Sequence, residues 1–583
     1  MSSVKRKHQS LKEKSKKLKN TSNQSISVIE NLSNELFFEI FDYLDGRTIY
    51  MIFSNLNHRF QQLINCSSSL FKLTRSCLEL PEKYINDYKQ MILIKKSQIF
   101  SIDLWMSKRT DEFFSSFTFD SLFINLKSIV FIELSSNVLI SVLSNLSYLP
   151  CLYSLTIRAD KLQDLTNIYQ LVLALPKLKY YKCSSVSTVG PISIPMAIDD
   201  QFNTIAYLNL LHCFTFDELS AILSYTPSLR HLKFSSEINL TPNFAIILPK
   251  TLLNLSYESS LISPTFDEIE TFISNIQCKL KGLTLIIRSR DLNFFNANRW
   301  EQILQQYLPE LEIFSFQNCS FINSSDHYEL PIYFQESNKY NSSFWIERQW
   351  IFEIRIDEAD FYYLISPYKK RWYQNNLHQQ IIYSPVEFCK SNQLIIDNID
   401  RDGCYKLVNL DIKHALSVSS FYHLEITEED IFIGILIQIL DLLPELKTLK
   451  ISTFSMNPPK NLSNMELSAL LSIKVKSPIS KVYLEEMIDI QQIYSLMNLC
   501  PHMEYLKVGD IDNIEIESIL RTIFKKIMDD GNHYLRLLCF TIPAADDKLI
   551  KKLENIINTE QLLINFTIQR AFDDVYIQWK WDT

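Results

Sequence analysis

The sequence predicts an α/β protein: a short three-helix segment followed by an irregular solenoid of helix–break–strand units, with a curved parallel sheet inside and helices outside. Three observations predict it. An apolar-x-x-apolar-x-apolar triplet recurs from Ile99 onward. A helical stretch precedes many of the triplets. Ahead of them lie three short amphipathic stretches, too few residues to build a core of their own.

Composition bounds the function. At 583 residues the chain exceeds one ordinary core, and 46% hydrophobic with 21% charged residues suits a folded protein. Only 7 glycines are present, which disfavours loops whose backbone must approach a phosphate closely. No Walker loop, G-x-G-x-x-G, H-E-x-x-H, G-x-S-x-G or calcium-loop pattern occurs, and the 10 histidines are scattered. The expectation is no enzyme, no catalytic residue, no metal and no cofactor. The net charge of −8, with a basic N-terminus, leaves an acidic body and argues against nucleic acid as a partner. The 11 cysteines include no C-x-x-C pair, and Cys151, Cys183, Cys213 and Cys539 fall in apolar runs, which suits buried thiols in a reducing compartment. The N-terminus has no signal-peptide pattern. The longest apolar run, Ile431–Leu440, is shorter than the ~20 residues a bilayer span needs. The expectation is therefore no membrane partner and a cytoplasmic location, a nuclear one, or both.

Residues 1–25 are rich in Lys, Ser and Asn, and predict a disordered basic tail. Lys5–Lys7 with Lys12–Lys19 has the form of a two-part nuclear import signal, or of a plain solvated tail. Residues 26–72 follow as a helical segment. Leu36, Phe37, Ile40, Phe41 and Leu44 share one face of a helix over Asn34–Leu44, with Ser33 as its N-cap and Asp45-Gly46 as its stop. Further helices fit Thr48–Ser54 and Asn57–Ile64.

The stretch Val28–Ile64 closely resembles the F-box family. Leu32, Glu35, Leu36, Ile40, Phe41, Tyr43, Leu44, Asp45, Arg59, Phe60 and Leu63 match its pattern in order. Ser33 stands where that family usually has Pro, and the stretch before Arg59-Phe60 is one residue longer. The resemblance implies docking on the Skp-type adaptor of a cullin-RING ubiquitin ligase. Leu32, Glu35, Leu36, Ile40, Phe41, Leu44 and Phe60 are the expected adaptor contacts, with Leu32, Leu36, Ile40, Phe41 and Leu44 poorly covered in the isolated chain.

Two array segments are expected, over residues 95–316 and 407–583. In the first, triplets begin at Ile99, Leu126, Leu152, Leu178, Ile205, Leu229, Leu252, Leu280 and Leu311, roughly 23 to 31 residues apart. In the second they begin at Leu407, Leu446, Ile479, Met503, Leu535 and Leu563. Helices fit Asp164–Leu175, Thr215–Thr226, Thr265–Ile276 and Glu515–Ile527, and Thr215…Glu218 and Thr265…Glu268 have capping-box form. Leu-Pro breaks such as Leu175-Pro176 and Leu443-Pro444 then start the extended segments. One such unit cannot bury its apolar face, but stacked units can. The pattern resembles the leucine-rich repeats that often follow an F-box, without their Asn or Cys ladder.

Residues 317–406 interrupt the rhythm with an aromatic block holding Trp345, Trp350 and Trp372 beside Arg348, Lys369, Lys370 and Arg371. It reads either as a binding surface or as strands packing between the array's two parts, and strand-like alternation in Trp350–Ile356 favours the second. In each triplet strand, alternation places the residue between the last two apolar members on the face away from the helices. Lys182, Asn209, Lys233, Lys450, Tyr483 and Lys507 occupy such positions. They form the expected target-binding row, whose lysines would suit an acidic or phosphorylated target or would simply keep exposed strands soluble. The function expected is a substrate receptor of a Skp–cullin–F-box ligase with an unidentified protein target. A repeat scaffold acting outside any ligase, and a nuclear RNA-binding protein, stay open as alternatives.

Overall fold

The three short helices form where a polar cap meets an apolar face. Helix α1 (Asn34–Asp42) starts at Ser33, whose hydroxyl accepts the Leu36 N–H at 3.4 Å. Helix α2 (Gly46–Phe53) starts at Asp45, and α3 (His58–Asn65) at Asn57, whose side chain accepts the Phe60 N–H at 3.1 Å. Phe37, Phe41, Phe53 and Phe60 turn inward and pack edge-on or tilted, with centroid separations of 4.8 Å for Phe37–Phe60, 5.2 Å for Phe41–Phe53 and 5.3 Å for Phe53–Phe60. Asp45-Gly46 was expected to stop the first helix. Instead Asp45 caps the second, accepting from the Arg47 and Thr48 amides, and Gly46 opens it.

A computed structural model describes residues 32–581, apart from 67–68, 77–81, 106–108, 190, 199–200, 213, 237–246, 260–262, 322–339, 341, 358–359, 370, 374–391, 399–411, 413–414, 417–418, 430, 457–477, 510–515, 531–532 and 544. The basic tail and its import-signal pattern lie outside the described residues. The chain divides into two compact units, one of Met1–Ile194 with Asn203–Ile205, the other of Pro195–Phe202 with Ala206–Thr583.

The first unit joins α1–α3 to a parallel ladder: β1 (Phe71–Ser76), β2 (Ile99–Trp105), β3 (Ser128–Ile132), β4 (Ser154–Gln163) and β5 (Tyr180–Val189), each beside the next. Leu73, Ile102, Ile129, Leu155 and Tyr181 stand in one row and are fully buried. Helices α4 (Glu82–Lys95), α5 (Thr110–Ser115), α6 (Ser136–Leu146) and α7 (Leu165–Leu173) alternate with the strands. Phe114 of α5 meets Phe131 of β3, and Tyr169 of α7 meets Tyr181 of β5, so these helices cover the apolar rows. One carboxylate joins α2 to the ladder. Asp45 Oδ1 accepts the Thr74 N–H at 2.7 Å, and Oδ2 accepts the Tyr88 hydroxyl of α4 at 3.0 Å. A Cβ on Gly46 would sit 2.8 Å from the Phe71 Cβ, so only glycine lets α2 approach β1 this closely.

The second unit begins with β6 (Tyr207–Leu211), β7 (His231–Ser236), β8 (Asn254–Ser259), β9 (Gly282–Arg288) and β10 (Ile313–Phe321), all parallel, with Leu208, Leu232, Leu255, Leu283 and Phe314 in one buried row. Helices α8 (Phe216–Ser224), α9 (Phe266–Ser274) and α10 (Ala297–Tyr307) intervene, and both expected capping boxes are present. The aromatic block then continues the sheet. After α11 (Ser343–Arg348), β11 (Trp350–Asp357) and β12 (Asp360–Pro367) form an antiparallel pair, with β12 also antiparallel to β10. Trp345 and Trp350 are buried. From β11 the ladder is parallel again through β13 (Gln393–Ile396), β14 (His423–Ile426), β16 (Thr448–Ile451), β18 (Lys481–Leu484), β19 (Tyr505–Val508) and β20 (Leu537–Thr541). A two-strand pair, β15 (Ile431–Phe432) with β17 (Phe454–Ser455), stands apart. Helices α12 (Ile433–Leu442), α13 (Ile490–Leu499), α14 (Ile516–Asp530) and α15 (Asp547–Thr559) follow β15, β18, β19 and β20.

Two triplets behave differently from expectation. Residues 407–411 lie outside the described residues, and the next described strand, β14, carries the triplet Phe421, Leu424, Ile426 instead. The Leu563 triplet enters β21 (Phe566–Ala571), which pairs antiparallel with β22 (Asp574–Trp579), itself antiparallel to β20. An antiparallel hairpin thus ends the parallel ladder, and its buried side chains include Val575, Tyr576, Ile577 and Trp579.

Removing Phe60 deletes the ring that both Phe37 and Phe53 pack on, so Phe60→Ala should cost about 3–5 kcal/mol locally. Hydrogen exchange is expected to show lost protection over residues 34–65 and unchanged protection in β6–β10. Uniform loss across both units would show that the three helices do not open as a local unit.

Candidate functional site

Two surfaces hold the residues singled out from sequence. The first is the outside of α1–α3. Phe41 and Phe60, expected as contacts, are buried in the aromatic cluster at 8% and 0% exposure, so they shape the segment rather than touch a partner. The apolar face of α1 is broader than one contact stripe, and the bundle takes its phenylalanine side. Leu36 is 44% exposed, Glu35 is exposed, and Leu32, Ile40 and Leu44 are half-buried. Sequence reading missed Met51, Ile52 and Leu56, which are exposed on and just beyond α2, and Tyr43, almost wholly exposed, was matched to the family but not assigned a contact. Periodicity gave no signal for Ile52 and Leu56, because they stand three and seven residues from Ile49 on the stripe a helix would bury, and Leu56 lies past the end of α2.

Arg59 fixes the entry to this surface. Its guanidinium donates to the Leu32 carbonyl at 2.6 Å and to Asn34 Oδ1 at 2.7 and 2.9 Å. It also lies 5.5 Å from the Phe37 ring centroid. The Glu35 carboxyl is held below its ordinary value by its own backbone N–H and by the Ser33 hydroxyl, so the helix start is anionic.

The second surface is the sheet face turned away from the helices. Register places the expected positions in rows: Thr156 beside Lys182 in the first unit, and Asn209, Lys233, Ser256, Thr284 and Ser315 in succession in the second. Lys450, Tyr483 and Lys507 form a third run. Their position agrees with the alternation argument, but their availability does not. Asn209 and Tyr483 are buried, and Lys182 is half-buried. Lys233 lies 3.6 Å from Glu258, and Lys507 2.7 Å from Asp574. Lys450 sits between Glu425 at 2.9 Å and Glu485 at 2.6 Å. Acids on nearby strands, or just beyond them, take up most of this positive charge, so the row is not the open basic track the sequence suggested.

Over β11–β18 the face is covered by residues Arg371, Trp372 and Tyr373, which follow β12. Arg371 Nη1 pairs with the buried Glu353 of β11 at 2.6 Å. Tyr373 stacks on His423 of β14, centroids 3.5 Å apart and planes 5° from parallel. Trp372 meets Tyr483 of β18 edge-on at 5.0 Å, and Lys450 Nζ lies 6.0 Å from the Trp372 ring. Lys481 Nζ donates to the Tyr373 carbonyl at 3.4 Å. Of the three tryptophans in the block, only Trp372 reaches this face.

The cleft by α5 and α6 is lined by Phe114, Phe117, Phe119, Asn137, Ser141 and Asn145 among others, with no titratable side chain among them. Burial pushes the Cys183 and Cys500 thiols up to about 12, which makes them unreactive near neutral pH. Among the described residues no helix is long and apolar enough to cross a membrane. Comparison with protein-family models gives no match, and comparison with curated proteins gives none either.

Burial opposes the charge on Lys450, but hydrogen bonds to Glu485 and Glu425, and their charges, outweigh it and hold the ammonium above the ordinary 10.5. A raised folded-state value contributes stability that is fully present below the unfolded value and is lost as pH rises through the folded one. Lys450→Met should therefore destabilise by about 1–2 kcal/mol at neutral pH. The gap from wild type should narrow only above pH 10.5. Urea denaturation across that range checks this, and a gap that does not narrow would exclude charge pairing as its source.

Proposed function

We propose that the protein is a substrate receptor of a Skp–cullin–F-box ubiquitin ligase, in which α1–α3 hold the Skp-type adaptor and an irregular leucine-rich-repeat array holds a protein target. Transfer chemistry belongs to other subunits. The receptor acts by raising the effective concentration of target lysines near the charged carrier.

The observation that carries the reading is the division of labour within α1–α3. The matching residues Phe41, Phe60 and Leu63 build the core, and Arg59 ties the entry. Leu36, Tyr43, Met51, Ile52 and Leu56 remain exposed on so small a segment. Clustered exposed apolar side chains favour a protein partner. Ser33 supports the same helix start that proline gives elsewhere in the family, because a capping hydroxyl replaces a ring suited to the first turn. The array reading is supported by the parallel rows, the alternating helices and the repeated strand triplets.

One observation favours a second reading, a repeat scaffold outside any ligase whose helices merely cap the array. Asp45 and Gly46 fasten α2 to β1, as a cap requires. Co-purification separates the two. Wild type should retain a Skp-type adaptor, and Leu36→Asp combined with Ile40→Asp should reduce capture at least tenfold with the far-ultraviolet spectrum unchanged, because a docked carboxylate without a partner costs several kcal/mol. No adaptor on the wild-type chain, or equal capture by the variant, rejects the ligase reading.

A further inference from the structure

The open face of the second unit is treated in two ways. Along β7–β10, Lys233, Ser256, Thr284, Ser315 and Gln317 stay partly exposed. Along β11–β18 the equivalent face is closed by Arg371, Trp372 and Tyr373, and Glu353, Gln393, His423 and Thr448 beneath it are buried.

Tyr373 joins a buried cluster with Tyr483, Tyr505, Cys539 and Tyr576, and Trp372 packs against it, but the contacts that hold the three residues are those of a docked segment. Three consecutive residues outside any described strand make an ion pair, a ring stack, an edge-on ring contact and a side-chain bond to a carbonyl, on three different strands. Hydrogen bonding beneath them is incomplete. Trp372 Nε1, Tyr373 Oη, Gln393 Oε1 and Tyr483 Oη are buried with no hydrogen-bond partner in the protein. Tyr373, Gln393 and Tyr483 are each more than nine-tenths buried. Native cores rarely leave so many polar atoms unpaired in one place. Charge and ring shape are matched here, but polar atoms are not, and that combination suits a cover that can be exchanged.

We infer that the open face of β11–β18 is a peptide-binding site, occupied in this state by Arg371, Trp372 and Tyr373 as an internal ligand. The partner it takes is a protein segment of the same chemistry, with a guanidinium within two residues of an aromatic ring. The guanidinium meets Glu353, and the ring two residues on lies on His423. Displacement exchanges one such segment for another, so the internal copy sets a threshold that a weak partner does not pass. This deepens the reading of the array as the target-holding part and does not depend on the adaptor reading of α1–α3.

The test uses the full chain and a labelled synthetic peptide with the sequence of residues 366–373, SPYKKRWY. Fluorescence anisotropy is measured on wild type, on Arg371→Ala/Trp372→Ala/Tyr373→Ala, and on that triple variant carrying Glu353→Gln. The triple variant is expected to bind at least tenfold more tightly than wild type, and Glu353→Gln to remove at least tenfold of that gain. Equal binding by wild type and triple variant, or indifference to Glu353→Gln, overturns the proposal. A triple variant that fails to fold overturns it too, because the segment is then part of the core. Glu353→Gln alone gives a second readout. It should speed trypsin cleavage after Arg371 at least tenfold with the melting temperature near wild type. Global destabilisation without selective cleavage counts against the proposal. Adaptor capture measured on the same variants reports α1–α3 alone, so a failure of peptide binding is distinguishable from a failure of the ligase reading.

Discussion

The parallel register is the constraint on which the rest depends. A strand in a parallel ladder leaves half its backbone groups for the strand on each side, and its apolar side chains on one face for a helix. Leu208, Leu232, Leu255, Leu283 and Phe314 in line, with the next row led by Leu210 and Phe234, satisfy both demands at once. Each helix then covers the rows between its neighbours, as Phe272 of α9 does against Phe234 and Tyr257. The same register aligns the other face, so residues far apart in sequence stand side by side there. Where the ladder turns antiparallel, at β10–β12–β11 and at β20–β22–β21, the regular helix–strand alternation stops.

At the other end of the chain the aromatic cluster does for α1–α3 what the leucine rows do for the sheet. Four phenylalanines fill a bundle too small for a conventional core, and Asp45 spends one carboxylate on a helix cap, a strand amide and a tyrosine hydroxyl. Each of those groups would otherwise be an unpaired polar atom in a tight place. What remains for a partner is the outer surface, led by Leu36, Tyr43 and Ile52. The proposed adaptor docking therefore rests on side chains the bundle does not use, with the buried matches Phe41 and Phe60 acting only by holding the helices in place.

The open sheet face shows how electrostatics and packing divide a surface that alternation alone makes uniform. Lys450 and Lys507 stand where the pleat puts them, yet acids at Glu425, Glu485 and Asp574 hold them. Tyr483 stands in the same row and is covered by Trp372, from a segment remote in sequence. The distinction between the partly exposed stretch over β7–β10 and the closed stretch over β11–β18 is the feature with most consequence for the proposed binding of a target.

The sequence by itself determined the helices with a clear cap or apolar stripe, most strands and the identity of the rows. Caps, Leu-Pro breaks and period-two alternation act within a few residues, and Thr215, Thr265 and Leu155 carry those signals locally. It also determined that Lys450, Tyr483 and Lys507 share a face, because that follows from the pleat. Only the tertiary structure decided which of them a partner can reach. Glu353 is 18 residues from Arg371 in the chain and Tyr373 is 108 from Lys481, separations over which no periodicity carries information. The burial of Phe41 and Phe60 was settled in the same way, since one apolar stripe on a helix does not say which of its members face the bundle and which face outward. The hairpin of β11 and β12 inside a parallel ladder, and the strand at His423–Ile426, depended on pairing partners that short apolar runs cannot name.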